Sequence, residues 1–317
     1  MLKNKLMILL ASIAISLFAF TACDEDNGVD PDPDTQPKPS APSNLRATSI
    51  DATTIHLKYD ISPSETNGLW QDYEITWKEN GGPTAPQAKV VLKGTNTIVI
   101  DGLVEGKIYL FTLVARFTND SVSAPATILW SPASRFEKNA NEETIKVYET
   151  NSAFGSGLQL FDLGQESPRV RTIANSSEWD LAVRTVDNKI VFSSATKSGY
   201  TFTSGNPQPT FIYKDAFLAN SLDEVFDSRA MNDGTRNNEY TEQSFDITNL
   251  TSSLVFYVRK PVSVGSTSYN YAKVFVKREN GTFLHGTGTN RHLLVEISYQ
   301  KTPNVPYAKT ANDNATN

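Results

Sequence analysis

The chain has 317 residues, with 29 Lys and Arg against 35 Asp and Glu and a formal net charge of −6. No run of basic residues interrupts that acidic balance, which argues against nucleic acid as a partner. A single cysteine excludes an internal disulfide, and beyond the N-terminus no apolar stretch is long enough to cross a bilayer as a helix.

The chain opens Met1-Leu2-Lys3-Asn4-Lys5, and an uncharged apolar run follows from Leu6 to Phe20. A basic start and a run of this length suit a signal peptide better than a membrane span. The run ends in Phe20-Thr21-Ala22-Cys23, which resembles the bacterial lipobox, with Phe20 where that motif usually has Leu. The resemblance implies that residues 1–22 are removed, that Cys23 is acylated and that the protein meets a membrane through its lipid anchor. An ordinary signal peptide and a retained anchor helix are the alternatives. The sole cysteine at this position favours lipidation, since an unmodified thiol is a liability in an oxidising compartment. Several acyl chains hold a protein far more firmly than one. Removal of Lys3 and Lys5 moves the formal charge from −6 to −8.

Residues 23–40 begin with the acidic cluster Asp24-Glu25-Asp26 and continue rich in Pro and Asp. With almost nothing apolar to bury, they are expected to form an extended tether. The cluster resembles the surface-export signal of Bacteroidota lipoproteins, which implies an outer-membrane protein at the cell surface. A solvated spacer is the plainer reading of the same residues.

Residues 41–134 read as short strands between turns. Ile55, Leu57 and Tyr59 alternate with His56 and Lys58; Tyr73 to Lys78 alternates again; Ala88–Leu92, Thr97–Ile100 and Tyr109–Ala115 follow. The opening Pro42-Ser43-Asn44-Leu45, the Gly102-Leu103 step and the Tyr109/Phe111/Ala115 strand resemble a fibronectin type III domain. The resemblance implies that Tyr109 is a tyrosine-corner residue and that Tyr59 stands where the family usually carries a second-strand Trp. It says little about function, because the fold serves as a spacer or interaction module. A different immunoglobulin-like sandwich is the alternative.

Residues 141–306 supply a second set of strands: Thr144–Glu149, Gly157–Leu163, Trp179–Thr185, Lys189–Ser193, Leu254–Lys260, Tyr271–Arg278 and His292–Gln300. Most alternate, as antiparallel strands with one buried face do. Asp215–Asp227 reads as a short helix or two turns, Asp227–Gln243 as a long loop, and 307–317 as a disordered tail. The expected fold class is all-β: a fibronectin type III-like sandwich followed by a larger antiparallel all-β domain.

Three stretches of the second domain resemble the HmuY-like haem-binding lipoproteins of Bacteroidota. They are Leu158–Gly164, the Trp179-Asp180-Leu181-Ala182 signature, and the closing strands Phe256–Arg259, Tyr271–Val274 and Ile297–Gln300. The resemblance implies capture of haem or a related tetrapyrrole, from free haem or a haemoprotein, for an outer-membrane transporter. Haem iron takes axial donors such as His, Met or Tyr. The loops matching the family's ligand loops, about 195–210 and 227–243, contain no His. Met231 in the second and Tyr200 in the first are therefore the candidate ligands, against the plainer reading that both are ordinary loop residues. His285 and His292 bracket a Gly286-Thr287-Gly288 turn, so a hairpin can bring them together as a surface metal site; two solvent-facing histidines is the plainer reading.

No nucleophile elbow, zinc-ligand spacing or phosphate-binding Gly loop is present, so a binding protein is expected rather than an enzyme. The alternative to haem is a surface glycan- or protein-binding lipoprotein of a nutrient-uptake system. Trp70, Tyr200, Tyr213, Tyr240 and Tyr269, in loop-like stretches, are its candidate sugar-stacking residues.

Overall fold

The computed structural model describes residues 36–150, 152–227 and 238–305. Seven strands come first: β1 (Ser43–Ser49), β2 (Ile55–Asp60), β3 (Trp70–Glu79), β4 (Gln87–Val91), β5 (Thr97–Ile100), β6 (Tyr109–Phe117) and β7 (Ala126–Trp130). They form two antiparallel sheets, β1-β2-β5 and β4-β3-β6-β7. The alternation explains the packing: Ile55, Leu57 and Tyr59 are buried, while His56 and Lys58 on the other face are not. Tyr59 fills the core in the manner of a Trp, edge-on to Tyr73 at 5.2 Å, with its hydroxyl donating to the Thr95 carbonyl. The Val104 N–H donates to the Tyr109 hydroxyl at 3.1 Å, which closes a tyrosine corner. Gly102, at φ +72°, supplies the left-handed residue that the turn before it requires.

Twelve strands follow: β8 (Ser134–Phe136), β9 (Ile145–Tyr148), β10 (Gly157–Asp162), β11 (Ser167–Arg171), β12 (Leu181–Val186), β13 (Lys189–Ser194), β14 (Phe211–Leu218), β15 (Tyr240–Thr241), β16 (Ser244–Asp246), β17 (Leu254–Pro261), β18 (Tyr269–Lys277) and β19 (His292–Gln300). The smaller sheet runs β11-β10-β12-β13-β16. The larger runs β15-β14-β17-β18-β19-β8, with β9 also paired to β19. All pairings are antiparallel. The two sheets face each other across a core that includes Leu160, Val183 and Phe192 from one and Phe256, Val274 and Val295 from the other. The described residues are thus almost entirely β structure.

Two expectations are corrected. Asp215–Asp227, read as a short helix or two turns, instead begins in a strand: Phe217 and Leu218 end β14, and Leu222–Glu224 forms a single 3-10 turn. The strands of the larger sheet do not bury one face only. Along β17 and β18, Leu254, Phe256, Val274 and Val276 enter the second core, while Val255, Tyr257, Tyr271 and Phe275 enter a cluster continuous with the first sandwich. Both faces of the sheet are therefore covered, which is why β17 carries five consecutive buried residues from Leu254 to Val258.

The junction is built in the same way. Ala47 of β1 and Asp227 exchange backbone hydrogen bonds of 2.9 Å each way. Ser134–Phe136 leaves the first sandwich directly as a strand on β19. His56, expected on an outward face, lies edge-on to Phe226 at 5.2 Å, and its partial loss of hydration there pushes its pKa down.

Candidate functional site

The Trp-Asp signature is a structural node. Trp179 is fully buried against Gly157, and its indole N–H donates to the Thr172 carbonyl at 3.0 Å. A Cβ on Gly157 would stand 2.1 Å from the Trp179 ring, so only glycine fits there. Asp180, 2% exposed, accepts from the Leu160 N–H at 2.8 Å and from Lys260 Nζ at 2.9 and 3.0 Å. This carboxylate ties β10 to β17 and so fixes the two sheets against each other. It also holds one wall of a pocket.

That pocket opens beside the β10–β11 and β17–β18 turns and has a volume of about 280 Å³. Phe161 and Tyr299 stack nearly parallel in its wall, with centroids 5.0 Å apart and planes at 12°. Leu163 and Val262 form an apolar rim, and Lys260, Lys301 and Glu166 supply its charge. Lys301 Nζ stands 5.5 Å over the Phe161 ring. Leu163 is 85% exposed and Val264, in the same β17–β18 turn as Val262, is 76% exposed. Apolar side chains held in water beside an aromatic pocket are the pattern of a binding surface. The strand that carries Phe161 and Leu163 was visible in the sequence; the meeting of Leu163 with Val262 and Val264 at one end of the sandwich was not.

The residues singled out from sequence are distributed as follows. Cys23 and Met231 lie outside the described residues. Tyr200 donates its hydroxyl to the Val183 carbonyl at 2.8 Å and packs edge-on to Trp179 at 5.3 Å. Its phenol oxygen is therefore engaged in holding the loop after β13. His285 and His292 are brought together: each donates its backbone N–H to the other's carbonyl at 2.9 Å, and their rings are 6.1 Å apart. Among the described residues no group of three or more His, Cys, Asp or Glu is placed to hold a metal ion.

Four of the five candidate stacking aromatics do not lie in loops. Trp70 starts β3, Tyr213 lies in β14, Tyr240 in β15 and Tyr269 in β18. Tyr213 and Tyr240 are buried. Tyr240 and Tyr269, with Phe211, surround the Arg259 guanidinium at 5.1, 4.7 and 5.2 Å. These rings serve packing because the outer face of the larger sheet is covered by the cluster continuous with the first sandwich.

Lys273 was missed by sequence reasoning. It shares a face with Tyr271 and Phe275, and a lysine on an apolar face was the available signal. Its ammonium is fully buried at the junction and donates to Thr48 Oγ1 at 2.8 Å, the Val225 carbonyl at 2.9 Å and the Leu222 carbonyl at 3.3 Å. Loss of hydration pulls its pKa down to about 7, against the opposing charge of Asp227.

A family model, the fibronectin type III domain, matches residues 40–129. No curated protein matches the chain. Among solved structures, the chain is similar to the fn3 domain of the human collagen alpha-1(XX) chain, at 16% identity over 31% of this chain and 90% of that one, with a TM-score of 0.27. It is similar to a computationally redesigned β-sandwich protein at 17% identity, over 30% of this chain and 91% of that one, with a TM-score of 0.27. It is also similar to a myokine structure at 19% identity, over 30% of this chain and 99% of that one, with a TM-score of 0.25. Residues 40–129, with their two-sheet topology and tyrosine corner, form a fibronectin type III domain.

Proposed function

We propose that this chain is a lipid-anchored binding protein of the cell envelope, held at the outer membrane through Cys23, whose terminal sandwich captures a flat apolar ligand. The observation that carries the reading is the pocket at Phe161 and Tyr299, with its aromatic wall and the exposed Leu163 and Val264 beside it. The resemblance of the second domain to HmuY-like proteins makes haem or a related tetrapyrrole the first ligand to test, with delivery to an outer-membrane transporter as the purpose. Lys301 lines the pocket, and a cation there suits the acidic substituents of such a ring.

The described residues of the pocket do not fit coordinated iron. Tyr299 is their one oxygen donor of an axial type, and it is buried in its stack on Phe161. The reading therefore rests on the ring's apolar face and not on a metal bond. The test is titration of the soluble chain from Asp24 with haemin and with iron-free protoporphyrin, following the Soret band. Saturable shifts with both, lost in Leu163→Asp, support it; no saturable change with either overturns it. A loss in Met231→Ala seen with haemin alone would add an iron ligand to the same site.

A second reading, docking of a protein such as a transporter on the same turns, is favoured by the exposure of Leu163 and Val264. Glycan stacking loses support, because most of its candidate aromatics are occupied in packing.

A further inference from the structure

We propose that His285 and His292 form a binding site for a transition-metal cation of the Zn²⁺ or Cu²⁺ type. The site lies at the start of β19, whereas the pocket's Tyr299 lies near its end. His292 and Tyr299 are seven positions apart, roughly 23 Å of extended strand. The inference does not depend on the pocket or on haem.

The backbone sets up the pair. His285 and His292 are directly opposed and exchange both of their hydrogen bonds, so their side chains leave the ribbon on the same face. Their ring centroids stand 6.1 Å apart with planes at 44°. Two imidazoles sharing one ion at about 2.0–2.1 Å have centroids roughly 5–6 Å apart, so small ring rotations suffice.

The tautomer of one ligand is already fixed. His292 Nδ1 lies 2.8 Å from the Asn290 carbonyl oxygen, which can only accept. Nδ1 therefore carries the hydrogen and Nε2 presents a lone pair, as in metal-bound histidines oriented by a carbonyl. Gly286, at φ +84°, permits this loop, because a side chain there would stand 2.7 Å from the Asn290 carbonyl oxygen.

The second ligand has an unanswered atom. His285 Nε2 is enclosed and has no hydrogen-bond partner. Enclosed polar atoms are nearly always paired, so this nitrogen calls for one. Tyr148 lies opposite His292 on β9, its ring 5.3 Å away, and walls the other side. Imidazole pairs favour zinc, copper and nickel over calcium or magnesium. Water would complete the coordination sphere.

Calorimetric titration of the metal-stripped mature chain with ZnCl₂ and CuCl₂ tests the proposal, alongside His285→Gln, His292→Gln, the double variant and His56→Gln. Loss of a mere orienting partner costs roughly 10–100-fold in metal affinity, so each ligand substitution is expected to cost at least as much. His56→Gln should bind as the parent does. The Cu²⁺ spectrum of the parent should show two nitrogen ligands by electron paramagnetic resonance, a readout that needs no variant to fold. Binding retained in the double variant, an equal loss in His56→Gln, or a copper spectrum with oxygen ligands alone overturns the proposal.

Discussion

Asp180 shows how much of the second sandwich rests on one carboxylate. It is enclosed, and it answers both a strand N–H and the Lys260 ammonium. Removing one partner of a buried ion pair leaves the other unanswered, at a cost of about 3–5 kcal/mol. Asp180→Ala should lower unfolding free energy by about 3 kcal/mol in urea titrations, and an effect below about 1 kcal/mol would refute the node. Gly157→Ala forces a methyl into the Trp179 ring. Overpacking of this kind costs about 1–3 kcal/mol, to be read from the same titrations. Lys273 makes a prediction in pH. Its folded pKa of about 7 lies below the ordinary 10.5, so across that window the unfolded chain holds the proton more tightly. Stability should therefore rise as pH increases from about 7 toward 10.5, since the penalty on the buried charge is relieved. Lys273→Met should flatten that slope relative to the parent. An unchanged slope would show that Lys273 does not titrate in the window.

At the scale of elements, the strands most regular in sequence were the most legible. Thr97–Ile100 and His292–Gln300 have the bounds expected of them. Strands β17 and β18 of the larger sheet were recognised but misjudged in environment, because period-two alternation cannot tell one buried face from two when both faces carry apolar residues. Strand β14 escaped altogether; its register against β17 shifts between Ile212 and Ala216, and Lys214-Asp215 breaks its apolar pattern. The tyrosine corner is the opposite case, a local contact between residues five apart. Tyr109→Phe should remove the hydrogen bond to Val104 and cost about 1 kcal/mol, leaving the fold intact by circular dichroism.

For the whole molecule, the decisive feature is that the fibronectin type III domain shares an apolar cluster with the outer face of the larger sheet. Lys273, the Ala47–Asp227 pairing and the Gln300 amide, which donates to the Pro132 carbonyl at 2.9 Å, cross the same junction. The described residues from Lys38 to Val305 accordingly form one compact unit. Calorimetry should record a single cooperative unfolding transition for the mature chain. Two separated transitions, one matching an isolated fibronectin type III domain, would contradict this.

Some properties of this protein follow from sequence alone: the β class, the fibronectin type III resemblance, and the closeness of His285 and His292. All depend on short-range pattern, namely strict alternation, a corner tyrosine or a glycine turn. The tertiary structure decided the rest. Tyr213 and Tyr240 became core residues, Tyr200 became a loop anchor, and Leu163 and Val264 were left in water beside an aromatic wall. Alternation states which residues share a face. What covers that face is set by segments distant in sequence, through apolar burial that has no sequence period of its own.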